Sequence, residues 1–204
     1  MPWDEKHKQT TRERIVAVAA RAIRARGPNG VSVAEIMKEA GLTHGGFYAH
    51  FASKDDLLAE ATRYATMETL QFLEKLAADA AGRTPALADI ADAYLGDLHC
   101  AHPERGCVLA ACGAELARAD DATRSVLREN VRSYLTWLQG RGDGDDGAHR
   151  GKTEREAIGT LATMIGGIIL ARAVGDPAEA AKVLTAVRGF LHDEASERGD
   201  EASS

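Results

Sequence analysis

The sequence has little of what builds β-sheets and little of what cross-links a chain. Proline occurs only five times in 204 residues, so few segments are barred from a helix. Runs of Val, Ile and Thr long enough for a strand are rare, whereas Ala, Leu, Glu and Arg are abundant. We therefore predict an all-α fold. The length and the 45% hydrophobic content suffice to bury the core of one domain or of two small ones.

Disulfide pairs and an export signal are also missing. The three cysteines, Cys100, Cys107 and Cys112, are an odd number without a paired framework, which indicates reduced thiols. The first residues, "MPWDEKHKQTTRERIV", carry charges where a signal peptide needs an apolar core, so we expect a cytoplasmic protein. The uncharged stretch 157–171 is shorter than the ~20 apolar residues that cross a bilayer, and it predicts a buried helix.

Signals of catalysis are lacking as well. The sequence has no "HExxH" zinc helix, no phosphate-binding glycine loop, no nucleophile elbow and no Ser-His-Asp signal. We therefore expect no enzyme and no cofactor. The alternative is a thiol-dependent enzyme that uses Cys107 with His99 or His102. A zinc site of these residues with Cys100 matches no familiar spacing, so no metal is expected.

Charge is unevenly distributed along the chain. The net charge is −6, yet residues 1–54 contain nine Lys and Arg against five Asp and Glu, a balance of +4. The remainder therefore carries −10. Residues 1–54, which we call the basic head, precede an acidic remainder. This distribution is typical of a DNA-binding protein with a separate regulatory domain, although chance segregation of solvated charges is an alternative.

The basic head contains the pattern of a helix-turn-helix. Apolar spacing predicts a first helix over 8–26. Ser32 with Glu35 three residues later predicts a capping box at the start of a second helix, which Gly41 ends in a left-handed conformation. Thr43 is predicted to cap a third, short helix. Two short helices joined by a turn that contains glycine form a helix-turn-helix, whose second helix enters the major groove of DNA.

The third helix carries "HGGFYAHF". Gly45 and Gly46 remove side chains that would hold the backbone away from DNA, at about 1 kcal/mol each in helix propensity. Phe47 and Phe51, four residues apart, are predicted to face the core while Tyr48 points outward.

Neighbouring polar residues complete this candidate site. His44, at the exposed start of the third helix, is placed to reach a base edge or a phosphate. Ser53 is predicted to cap a fourth helix, whose first turn and Lys54 can bind another phosphate. The alternative is structural: Tyr48 and His50 would pack the third helix on the fourth, and Ser32, Thr43 and Ser53 would only cap helices.

These residues resemble a known family. Gly41-Leu42-Thr43, Gly45, Tyr48, His50-Phe51, Ser53-Lys54 and Leu57-Leu58 are similar to the DNA-binding segment of TetR-family transcriptional regulators over about residues 11–58. The resemblance implies a helix-turn-helix domain over 1–53 and a helical effector-binding and dimerisation domain over 54–204. It also implies a repressor that binds a palindromic operator as a homodimer and is released by a small molecule. The implied DNA contacts are Ser32, Thr43, His44, Gly45, Gly46, Tyr48, His50 and Lys54.

Periodicity divides the rest of the chain into helices. They are predicted over 54–81, 85–101, 106–119, 121–139, 152–175 and 177–194. Between them, the segment 140–151, "GRGDGDDGAHRG", is dense in Gly and Asp and predicts a flexible loop.

Three further sites are predicted within this second part. The last two helices are poor in charge and predict a dimer interface of Leu161, Ile165, Ile168, Ile169, Leu184 and Val187, the alternative being a helix buried within the monomer. The candidate effector-binding residues are Tyr64, Met67, Phe72, Tyr94, Leu98, Tyr134 and Trp137, although such stripes are more often plain core. Cys107, after Arg105 near a helix start, is a candidate redox or electrophile switch; the alternative is an inert buried thiol.

Overall fold

The computed structural model describes residues 3–79, 87–140 and 152–201, and every regular element in these ranges is helical. The α-helices are α1 (Trp3–Arg26), α2 (Val33–Glu39), α3 (Lys54–Asp79), α4 (Leu87–Tyr94), α5 (Asp97–Ala101), α6 (Val108–Leu116), α7 (Asp121–Gln139), α8 (Glu154–Ala173) and α9 (Pro177–Glu201). Two 3₁₀ helices are η1 (His44–Ala49) and η2 (Pro103–Arg105). The all-α prediction is confirmed.

Several helix boundaries differ from those predicted. The single helix expected over 85–101 is wrong: Gly96 adopts an extended conformation (φ −78°, ψ 155°) and separates α4 from α5. Helix α6 is shorter than expected and is kinked at Cys112, whose φ of −148° is not helical. The bounds of α7 are those predicted. Of the predicted loop over 140–151, all but Gly140 lies outside the described residues.

The chain divides into two compact units. The first unit consists of Met1–Glu68 and Pro103–Asn130, and the second of Thr69–His102 and Val131–Ser204. The first unit therefore extends past the domain boundary predicted at residue 53 and includes a second segment of chain. The chain passes from one unit to the other three times, after residues 68, 102 and 130.

The core of the first unit is built on α1. Ile15, Ala19 and Ile23, spaced four residues apart, are completely buried. They pack in one cluster with residues of α2, η1 and α3, and with Val108, Cys112 and Leu116 of α6. Because α2 and η1 pack on this cluster, their positions depend on α1.

The second unit is built on the packing of α8 against α9, with α4 against α9 and α5 against α8. Gly167 lies at a close approach: an added Cβ would come within 2.9 Å of Leu95 Cδ2 and 3.0 Å of Val187 Cγ1. Arg172 of α8 donates hydrogen bonds to the carbonyls of His99 (2.6 Å) and Cys100 (3.0 Å), which fixes α5.

One helix of the described ranges, α8, has the length and apolar composition of a membrane span, with a mean hydropathy of 1.3 over 18 residues. Buried helices of water-soluble proteins meet the same criterion, so a single such helix is weak evidence of a membrane location.

Candidate nucleic-acid interface

Both ends of α2 are fixed by local hydrogen bonds. At its start, the Ser32 hydroxyl accepts a hydrogen bond from Glu35 N (3.2 Å) and the Glu35 carboxylate accepts one from Ser32 N (2.9 Å), so the predicted capping box is confirmed. At its end, Gly41 has φ +70°, and Leu42 N donates to the Met37 carbonyl at 2.8 Å. This backbone arrangement needs a left-handed residue, which glycine supplies without strain.

The third helix along the chain, η1, is wound more tightly than predicted. Residues 44–49 form a 3₁₀ helix rather than an α-helix. Thr43 occupies the predicted N-cap position, but its side chain makes no capping hydrogen bond. Two adjacent glycines favour neither helix strongly, and a 3₁₀ helix of six residues is unusually long. The predicted cap of the next helix, α3, is confirmed, because Asp56 N donates a hydrogen bond to the Ser53 hydroxyl at 3.0 Å.

The two faces of η1 separate as predicted. Phe47 and Phe51 are 1% and 3% exposed, and their rings stack with centroids 5.6 Å apart. Tyr48 is 70% exposed, and its ring meets the edge of Phe47 at 5.3 Å. The buried Phe47 and Phe51 therefore fix η1 on the core, and the phenol of Tyr48 points away from the core.

Neither glycine of η1 is required by the packing of the protein. An added Cβ at Gly45 would meet no described protein atom within 4 Å. At Gly46 it would meet Met37 Cε at 3.7 Å, an ordinary contact. Neither Gly45 nor Gly46 has a positive φ angle. Within the described chain, positive φ angles occur at other glycines. The space in front of Gly45 is therefore open to a partner.

Basic side chains lie at the end of η1. Arg12 of α1 forms a two-pronged ion pair with Glu60, places its guanidinium 4.6 Å from the centre of the Phe51 ring and donates to the His50 carbonyl at 3.4 Å. Desolvation, followed by the charges of Lys8 and Arg12, lowers the pKa of His50. His50 is therefore neutral at pH 7, and its Nδ1 is buried without a hydrogen-bond partner among the described residues.

Lys8 also belongs to this group of basic side chains, although no sequence motif includes it. Lys8 is separated from His50 by 42 positions, and the packing of α1 brings the Lys8 ammonium close enough to act on the His50 imidazole. Lys54, which was predicted, lies near α2: its charge contributes, after the hydrogen bonds from Ser32 and after Arg26, to a lowered pKa of Glu35. Thr43 and His44 are exposed as expected.

The candidate effector-binding residues are dispersed. Tyr64 and Met67 belong to the first unit, where they line an open groove of about 200 Å³ between α1 and α3. In the second unit, Tyr94 and Tyr134 are core residues, each 2% exposed, and Leu98 is 78% exposed. Phe72 is exposed as well, and Trp137 is half-buried. The location of an effector site stays a prediction.

Half of the predicted dimer residues face inward. Leu161, Ile168 and Leu184 are at most 6% exposed, so they cannot form an outer surface, and for them the prediction is wrong. Ile165 and Val187 are half-buried, and Ile169 is 46% exposed. The apolar side chains that α8 and α9 do present to solvent form what we call the outer apolar face: Ile158, Ile169, Leu170, Val174 and Phe190.

Cys107 lies at the N-terminus of α6, as expected, but it is completely buried. An oxidant or electrophile therefore reaches its sulfur only if this segment opens. Burial, more than the neighbouring Glu115 and Cys107, raises the pKa of Cys112 to about 12, so Cys112 remains a thiol. Within the described part of the chain, no three His, Cys, Asp or Glu side chains are grouped to hold a metal ion.

Burial predicts the order of thiol modification. In the native protein we expect iodoacetamide to alkylate the half-buried Cys100 first and Cys107 and Cys112 at least about 100-fold more slowly, because their reaction awaits local opening. Mass spectrometry of timed samples measures the three rates. Alkylation of Cys107 as fast as that of Cys100 would support the switch hypothesis. A normal response to quinone or peroxide in Cys107→Ser would contradict it.

An α-helix and a short second helix joined at a glycine turn form a helix-turn-helix, the motif with which many DNA-binding proteins enter the major groove. Residues 15–61 match the family described as bacterial regulatory proteins, tetR family. The resemblance of residues 41–58 to the DNA-binding segment of TetR-family transcriptional regulators is therefore confirmed.

Similar proteins extend the comparison to nearly the whole chain. An uncharacterized HTH-type transcriptional regulator of Mycobacterium tuberculosis is 27% identical over 195 residues, which cover 93% of this chain and 98% of the relative. A TetR transcriptional regulator of Chloroflexus aurantiacus has a TM-score of 0.68 at 23% identity, with 92% and 96% of the two chains covered. The regulator FadR of Bacillus subtilis, solved with stearoyl-CoA, has a TM-score of 0.61 at 19% identity, over 88% and 96%. At these identities the solved structures establish the fold.

Proposed function

We propose that the protein is a cytoplasmic repressor that binds a palindromic operator as a homodimer. The observation that carries the proposal is the division of η1 into a buried Phe47–Phe51 face and an open face of Gly45 and Tyr48. An open backbone beside an exposed aromatic residue suits insertion into the major groove. Lys8, His50 and Lys54 at its edges suit the adjacent phosphates.

A homodimer is supported by the outer apolar face. A cluster of exposed large apolar residues on two neighbouring helices marks an interaction surface more often than a solvated one. Gly159 and Gly166 have open space where a Cβ would project, so a second helix can approach α8 closely there. Two copies related by a two-fold axis would place two helix-turn-helix units at half-sites about 34–36 Å apart, as a palindromic operator requires.

We further propose that a small-molecule effector releases the operator. Stearoyl-CoA in the FadR complex is an example of a ligand bound by this fold, and it does not identify the ligand of this chain. Coupling between effector and operator of this kind typically amounts to 1–3 kcal/mol. We propose that the protein acts by binding rather than by catalysis, as a regulator does.

The test of the proposal is selection of bound duplexes from fragmented DNA of the source organism at two salt concentrations. We expect enrichment of a palindrome whose affinity falls steeply with salt, because each phosphate contact releases counterions. Enrichment of a single half-site would contradict the homodimer. Absence of enrichment at either salt, with the folded protein shown to be free of bound small molecules, would contradict DNA recognition.

Replacing Tyr48 with alanine tests the orientation of η1. We expect operator affinity to fall about 5- to 30-fold, by ~1–2 kcal/mol, because the ring and its hydroxyl are lost from the interface. The melting temperature should stay within experimental error, because the side chain is 70% exposed. Fluorescence anisotropy and thermal unfolding measure the two effects. Tyr48→Phe serves as the matched control for the hydroxyl, and unchanged affinity in Tyr48→Ala would contradict the proposed docking.

A further inference from the structure

Arg24 is a buried charge with partners on three segments. Its side chain, in the last turn of α1, is 1% exposed. The guanidinium donates to the Glu68 carboxylate at 2.6 Å and to the Gly106 carbonyl at 3.0 Å, while its Nε donates to the Ala20 carbonyl of its own helix at 3.0 Å. Burial of a guanidinium is unfavourable unless it is paired and hydrogen-bonded, and here all three groups are used.

Packing alone does not explain an arginine at this position. Ala20 and Ile23, one turn and one residue before it, are completely buried among apolar neighbours. A hydrophobic residue of similar volume often replaces a buried ion pair without loss of stability. The arginine adds geometric specificity, because its planar guanidinium holds the Glu68 carboxylate and the Gly106 carbonyl in fixed positions relative to α1.

Those partners lie next to the passages of the chain between the two units. Glu68 is the last residue of the first segment of the first unit, and Gly106 lies three residues after the chain re-enters that unit at Pro103. Arg24 therefore connects α1 to two of the three passages. At the third passage, the buried Asn130 donates to the Thr62 carbonyl of α3 at 3.2 Å, and this contact does not involve α1.

We propose that Arg24 is a positioning residue that couples the helix-turn-helix to the second unit. It holds α1, on which α2 and η1 pack, to the chain at Glu68 and at Gly106. A rearrangement of the second unit displaces one or both of these segments, and the displacement reaches the DNA-binding helices through the guanidinium. The proposal rests on the proposed function in that effector release would use this route. The coupling itself exists without DNA or effector.

The experiment is therefore a double-mutant cycle read by hydrogen exchange on the full chain, with neither DNA nor effector present. Ile168→Ala opens a cavity in the second unit, because Ile168 is completely buried in α8. The readout is the exchange of α2 and η1 amides that open locally, identified by their insensitivity to low urea concentrations. We expect Ile168→Ala to accelerate these amides about fivefold or more in the wild-type background and less than about twofold in Arg24→Met.

A matched control separates coupling from general loosening. Asn130→Leu removes the buried bridge at the third passage but leaves α1 untouched, so Ile168→Ala should still accelerate the same amides in that background. Glu68→Gln keeps a hydrogen-bond acceptor without the charge, so it should reduce the acceleration of amide exchange that Ile168→Ala causes. This variant provides the test if Arg24→Met does not fold. Equal acceleration with and without Arg24, no acceleration in the wild-type background, or loss of coupling in Asn130→Leu would each overturn the proposal. Failure to bind DNA would bear only on the proposed function.

Discussion

Gly45→Leu is expected to weaken specific operator binding strongly while leaving the protein folded. The leucine side chain would occupy the open space before η1, where the proposed docking brings the backbone close to the bases, so we expect affinity to fall at least about 30-fold, by ~2 kcal/mol. The free energy of unfolding should stay constant or rise by up to about 1 kcal/mol, because leucine is a better helix former than glycine. Operator titration and urea unfolding of the same preparation measure both quantities.

The matched control for this prediction is Gly41→Ala. Gly41 has φ +70°, so alanine there is expected to lower the free energy of unfolding by about 1 kcal/mol through backbone strain, with no side chain entering the groove. The two glycines should thus show opposite patterns, one functional and one structural. If Gly45→Leu binds the operator normally, the open face of η1 does not enter DNA. If it unfolds the protein, the glycine serves the fold.

Ile169→Glu is expected to convert the proposed homodimer into monomers. A carboxylate on the outer apolar face would be buried in the proposed interface without a partner, so we expect the dimer dissociation constant to rise at least about 100-fold, by ~3 kcal/mol. The stability of the isolated chain should change by less than about 0.5 kcal/mol, because Ile169 is 46% exposed there. Operator affinity should also fall, about 100-fold or more, because each half-site then binds independently. Sedimentation velocity and operator titration measure these effects.

Leu161→Ala gives the contrasting result. Leu161 is 6% exposed, so its truncation is expected to lower the free energy of unfolding by about 2–5 kcal/mol while the outer apolar face stays intact. A dimer that persists in Ile169→Glu but dissociates in Leu161→Ala at native protein concentration would show that the interface lies elsewhere.

Features set by a few neighbouring residues were predictable from the sequence. The capping box of Ser32 and Glu35, the left-handed turn at Gly41 and the Ser53 cap all depend on contacts within five residues. The outward Tyr48 and the inward phenylalanines followed from their spacing on one helix. For the same reason the family resemblance, carried by this segment, was recognisable.

Features set by distant parts of the chain were not predictable. Helix α8 is apolar on all sides, so periodicity could not tell which face of it packs on α9 and which stays exposed. Arg24 and Glu68 are 44 positions apart, and neither forms part of a local motif.

The cluster that unites α1, α2, η1 and α3 with Val108, Cys112 and Leu116 bears on the order of synthesis and on recombination. A ribosome releases the whole helix-turn-helix some fifty positions before the chain supplies the α6 side chains that cover its core. The core of the newly synthesised helix-turn-helix therefore stays partly uncovered until residues 103–130 are made. These residues follow the first passage of the chain through the second unit. A chimera that exchanges only the matched segment 15–61 with a relative would join two independently evolved halves of one core. Exchange that also carries residues 103–130 would keep both halves together.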